Sequence, residues 1–148
     1  MKKIIKKVTK IGFRLQTDDM KDHRYQSIDD WTDPEKVKNL VKGETSLVFP
    51  IQTADMGERK YNFLTLLHAL IESYMCFEHG ISDDQVSGYD MAHTHCDDPG
   101  SHQDAPYHDE HQLATDVEAM VSVALGVDWI KYGKVTDKTL AKYPKKKK

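Results

Sequence analysis

Seven of the eight histidines of this chain lie between positions 68 and 111: His68, His79, His93, His95, His102, His108 and His111. Imidazole titrates near neutral pH and is the commonest protein ligand for transition metals, so where these residues fall matters more than their number. At 100° per residue, His68, Glu72 and His79 lie within about 40° of one another on a helix, and His111 and Glu118 align within about 20° on a second one. If the two helices pack antiparallel, their margins bring two or three imidazoles and one or two carboxylates around a point. That set suits zinc or another divalent transition metal. The expected ligands are His68, Glu72 and His111, with His79 or Glu118 as a fourth ligand or as the partner that holds a ligand in place. In a catalytic version the ion activates a water and a nearby carboxylate serves as general base.

A structural reading of the same residues competes with this one. Histidines at the edge of an apolar stripe commonly pack half-buried and hydrogen-bond a neighbouring acid. Glu72 and Glu118 then read as solvated borders of amphipathic helices. His93, His95, His102 and His108 fall in or beside an aperiodic stretch, where solvation or capping accounts for them. Cys96 adds one thiol to that stretch, and Cys76 reads as a small core residue.

The elements that must carry these residues follow from period and punctuation. Residues 3–16 contain β-branched residues in imperfect alternation and read as a strand. Asp33-Pro34-Glu35 is suited to start a short helical turn over Val37 to Val41 that Gly43 ends. Thr45 to Gln52 reads as a second strand, and Pro50 favours an edge position for it. From about Glu58 to His79, Phe63, Leu64, Leu67, Leu70, Ile71, Tyr74 and Met75 form a helical stripe, stopped by Gly80. Ser82 and Gln85 form a capping box that opens a short helix through about Ala92. His93 to Ala105 is a loop. Pro106 suits the first position of a helix from about Tyr107 to Leu125, with Leu113, Val117, Met120, Val121 and Ala124 on one face and Gly126 as its stop. Val127, Trp129, Ile130 and Tyr132 fold back on the core. The expectation is an α+β fold in which a small N-terminal sheet of two or three strands packs on two long helices and one short helix. One domain spans 1–132, and 133–148 is a flexible basic tail.

Composition bounds the function classes. The 148 residues are 39% hydrophobic and 30% charged, as expected for one ordinary globular domain. The formal charge of −3 hides an asymmetry, because the ten N-terminal residues and residues 131–148 are strongly basic while the body between them carries an excess of acids. An acidic body repels the nucleic-acid backbone, so nucleic-acid binding by the folded part is not expected. The apolar runs are too short for a signal peptide or a membrane span, and two cysteines with no CxxC pair fit a reducing cytoplasm. No phosphate loop, nucleophile elbow or dinucleotide fingerprint is present.

The stretch Leu67-His68-Ala69-Leu70-Ile71-Glu72 resembles a degenerate version of the zincin metallopeptidase helix, in which H-E-x-x-H supplies two zinc ligands and a base. Here Ala69 stands at the base position and Glu72 at the second histidine, so the resemblance does not imply peptidase activity. A wider similarity, over about residues 24–132, is to uncharacterised small proteins of bacteriophages and bacterial genomes. It rests on Arg24-Tyr25, Asp30-Trp31, the His68 to Glu72 helix, Gly80-Ile81, Tyr89-Asp90, Ala105-Pro106-Tyr107-His108, Glu110-His111 and Gly126-Val127-Asp128-Trp129. That resemblance implies a phage context, with the host cytoplasm as the compartment, and no mechanism. Two functions are therefore expected. The first is a metal-binding protein, as a metal-dependent hydrolase in its catalytic form. The second is a non-enzymatic acidic protein that blocks a host nucleic-acid-binding or defence protein by charge complementarity. A homo-oligomer using Trp31, Trp129 and Tyr132 as an apolar contact is a third expectation.

Overall fold

The computed structural model describes residues 10–18, 20 and 27–143. The N-terminal part of the first predicted strand, the Arg24-Tyr25 pair and the lysine run 145–148 lie outside these residues. The fold is α+β, with four strands followed by four helices: β1 Lys10–Asp18, β2 Asp29–Trp31, β3 Glu35–Asn39, β4 Glu44–Ala54, α1 Arg59–Glu78, α2 Asp83–Ala92, α3 His108–Ala124 and α4 Trp129–Leu140. A single 3-10 turn, Pro99–Ser101, lies between α2 and α3.

The long strand β4 is the centre of the sheet, not its edge. β1 runs parallel to it, pairing Lys10 with Ser46 through Asp18 with Ala54. On the opposite side β3 pairs antiparallel with residues 44–48 and β2 with residues 51–53. Pro50 falls in the gap between those two ladders. Its carbonyl accepts from Thr32 N on the β2 side at 3.4 Å, so its nitrogen faces the gap and no ladder bond is lost there.

The predicted helical turn over Val37 to Val41 is also overturned, because Glu35–Asn39 is a strand. The turn that follows is closed by Gly43, whose N–H donates to Asn39 O at 2.8 Å with φ at +64°. The Asn39 side chain accepts from the backbone N–H groups of Val41 and Lys42. Pairing with β4 along five residues supplies a ladder of backbone hydrogen bonds and outweighs the local helix-start signal.

The α1 helix matches its predicted span and ends at Gly80, which has φ at +74°. Both halves of the Ser82–Gln85 capping box are formed. Pro106 precedes the Tyr107 cap of α3 and is not the first helical residue. The larger correction concerns which faces are buried. In α1 they are Leu64, Thr65, Ala69, Glu72, Ser73 and Cys76, and in α3 they are Glu110, Ala114, Glu118 and Ser122. Phe63, Leu113 and Met120, placed in the apolar stripes by their spacing, are exposed. The reason is that α1 is covered on two sides. Tyr74 and Phe77 meet Phe49 of the sheet at ring separations of 5.6 and 5.4 Å. The ionic face meets α3 through histidine–glutamate pairs, while Ala69 and Cys76 lie in a buried cluster with Trp31, Ile51 and Tyr107.

Residues 133–140, expected in a tail, continue the helix α4. Asp128 caps it by accepting from Lys131 N, Tyr132 and Thr139 are buried in it, and Tyr143 packs beyond it against Met20 and Ala54. The lysine count of this segment obscured an amphipathic period. Trp31 and Tyr132 lie inside the protein, which removes two of the three aromatics expected at an oligomer surface.

Candidate metal centre

Antiparallel packing of α1 and α3 sets up three histidine–glutamate pairs across the interface. His68 Nδ1 is 2.9 Å from Glu118 Oε2, His111 Nδ1 is 2.8 Å from Glu72 Oε2, and His79 Nδ1 is 2.6 Å from Glu110 Oε1. The first two pairs merge, because His68 Nε2 also lies 3.3 Å from Glu72 Oε2. The ligand atoms of His68, Glu72 and His111 all fall within 4.8 Å of one another, and the two rings are 4.9 Å apart. These are the three residues that helical spacing leads us to expect around one point.

The other two predicted site residues part company here. Glu118 is adjacent, holding His68 from behind, and it also accepts a hydrogen bond from the Tyr132 hydroxyl of α4. His79 is not in the centre. It caps the C-terminal end of α1, is about half exposed at 52%, and pairs with Glu110. Angular alignment with His68 on a helical wheel ignores the distance between them, which over eleven residues is about 16 Å of helix.

Each imidazole of the centre is held on both sides. His111 donates from Nε2 to Asp98 Oδ1 at 3.0 Å, and His68 donates from Nδ1 to Glu118. The inner nitrogens, His68 Nε2 and His111 Nδ1, point at Glu72 Oε2. The other oxygen of Glu72 accepts from Trp31 Nε1 at 2.9 Å. The backbone of the loop presses on His111 from outside: a Cβ on Gly100 would lie 2.6 Å from His111 Cγ. Only glycine fits that contact.

The electrostatics follow from this geometry. Burial opposes the charge of His111, but its hydrogen bonds to Asp98 and Glu72 lift its pKa to about 9. His68 is likewise held well above its ordinary value, by Glu118 and Glu72 acting against burial. Burial works to raise Glu72, and the two imidazoles overcome it and hold the carboxyl far below the usual range. Asp29 of β2 is different. Burial pushes its carboxyl up to about 7 against the pull of His68, and Glu72 adds to the rise.

A cavity of about 350 Å³ opens onto the centre, lined by Asp29, Trp31, His68, Glu72, Asp98 and His111 among others. The donor chemistry fits a transition ion. Two ligands at about 2.0–2.2 Å from a tetrahedral ion stand about 3.3 Å apart. His68 Nε2 and Glu72 Oε2 already have that separation, and the His111–Glu72 pair must widen by about half an ångström. An imidazole whose outer N–H is held by a carboxylate is the arrangement that orients metal-ligating histidines and raises their basicity.

Asp29, Trp31, Asp98 and Tyr132 belong to this centre and were missed as site residues. They come from β2, the loop and α4, which no helical period connects to α1. The remaining histidines lie elsewhere. His93 stacks on Tyr89 at 3.9 Å and stands 5.8 Å from His95 and 5.9 Å from His102. His108 bonds Gly100 O at 3.1 Å. Cys96 is at the cavity wall, and Cys76 is buried in α1 with its thiol pushed up by burial.

The chain matches no known protein family, no curated protein and no solved structure. Among the described residues, no helix is long and apolar enough to cross a membrane.

Proposed function

We propose that this protein binds one divalent transition metal through His68 Nε2, Glu72 Oε2 and His111 Nδ1, with zinc the best match to the donors, and that it uses the ion in hydrolysis. The observation that carries this reading is the doubly held pair of imidazoles. Both inner nitrogens converge on one carboxylate oxygen, while Glu118 and Asp98 hold the outer nitrogens. A histidine that served packing alone needs one partner, not this convergence. The cavity supplies room for a water and a small substrate group beside the ion. Glu118 and Asp98 keep the imidazoles in the tautomer that ligates, and Trp31 fixes the rotation of Glu72. Ala69, at the position that supplies the base in the zincin helix, is fully buried and has no proton-accepting group, so the proton acceptor must be another residue.

The test is elemental analysis of the purified full chain, paired with melting before and after chelation. One tightly held ion per chain and a melting point that falls on chelation are the expected results. A metal-free protein whose melting ignores chelator and added divalent ions would sink the reading. The competing function, an acidic protein covering a basic host surface, draws less support from the fold. Glu72, Glu110 and Glu118 are buried and paired with imidazoles, so they are not part of an exposed acidic face.

A further inference from the structure

We propose that Asp29 is the fourth protein ligand of the ion held by His68, Glu72 and His111, an inference that rests on the metal reading above. Asp29 and Trp31 are two residues apart on β2, so their side chains leave the strand on the same face. Trp31 reaches Glu72 Oε1 with its indole N–H, which places that face of β2 against the centre. Asp29 lines the same cavity as the three ligands. Helix α1 supplies two ligands and α3 one, and β2 approaches from a third direction. Four ligands drawn from three elements can hold an ion from three directions and, with expansion to five-coordinate, still leave a position open to the cavity for a water.

The hydrogen bonding singles out Asp29 from its acidic neighbours. Glu72, Glu118, Asp98 and Asp90 each have a carboxylate tied to an imidazole, an indole or a phenol. Among the described residues, the Asp29 carboxylate accepts only from Ser27 Oγ, at 3.4 Å. Among the described residues, its lone pairs are therefore less committed than those of the carboxylates around the two imidazoles.

The experiment titrates zinc into wild type, Asp29→Asn, Asp29→Ser and Asp137→Asn, each against a competing chelator dye, and records cobalt(II) absorption spectra of all four. Asp137 lines the same cavity from α4 and is exposed, so its variant measures loss of charge without loss of a ligand. Removal of the Asp29 carboxylate is expected to weaken zinc at least about tenfold and to alter the cobalt bands. Asp137→Asn is expected to stay within about twofold of wild type. Melting of the metal-free forms checks that each variant folds, and the serine variant covers a failure of the asparagine one. Wild-type binding with either Asp29 variant within about twofold and an unchanged cobalt spectrum would overturn the assignment and leave the three-ligand centre standing. Equal weakening by Asp137→Asn would overturn it as well, by reducing the effect to charge. No zinc uptake by wild type would remove the centre and the inference together.

Discussion

The histidines divide into two groups that differ in almost every physical respect. In the α1–α3 centre, His68 and His111 are 13% and 15% exposed, and each has a carboxylate on both ring nitrogens. In the loop after α2, His93 stacks on Tyr89, His102 meets Tyr89 edge-on, His95 lies beside His93, and His93 Nδ1 is tied to the backbone oxygen of Tyr89. Similar ring separations thus arise from different causes. Rigid helices and buried carboxylates aim the imidazoles of the first group at one point, while those of the second share a surface. Density of histidine in the sequence did not separate the groups; the partners around each ring did.

Substitutions can break this contrast, beginning with the largest effect. Glu72→Ala strands two imidazoles and the Trp31 N–H, and it should cost about 3–5 kcal/mol of stability in the metal-free protein and abolish metal uptake. Urea unfolding and elemental analysis read both. Next comes pH. His111 and His68 have raised pKa values in the fold, so their contribution to the metal-free protein is complete below about 6.5. It disappears as pH climbs through about 9, the value for His111. The groups facing them are Glu72, Glu118, Asp98, Asp29 and Tyr132. Melting temperatures of the chelated protein should therefore fall between neutral pH and pH 10, and His111→Gln should shrink that fall. Constant melting across the range would argue against charged imidazoles in the metal-free centre.

Gly100→Ala should cost about 2–3 kcal/mol and weaken metal binding, because the new methyl must displace the His111 ring. Tyr132→Phe removes one of the donors to Glu118 and should cost roughly 1.5 kcal/mol, with a smaller loss of affinity. The smallest effect belongs to the loop. His93→Ala with His95→Ala should change stability by about 0.5 kcal/mol and leave metal stoichiometry untouched. Loss of the bound ion in that double variant would erase the distinction between the two groups.

The sequence by itself determined the α+β class, the spans of α1 and α2, and the relative orientation of His68 and Glu72. Those features are local: a 3.6-residue period, a capping box between Ser82 and Gln85, and glycines that end helices depend on neighbours a few positions away. The triad His68, Glu72 and His111 was legible because helical spacing fixes direction. Tertiary structure decided the rest. It placed β4 at the sheet centre despite Pro50 and drew Glu35–Asn39 into a hairpin. It also buried the small and ionic faces of α1 and α3 in place of their apolar stripes, separated His79 from the centre, brought Trp31 from 41 residues away to the Glu72 side chain, and set Asp29 on the wall of the same cavity. Each of these outcomes depends on which surfaces cover one another. No local period encodes that, because the free energy of burial belongs to pairs of elements and not to any one of them.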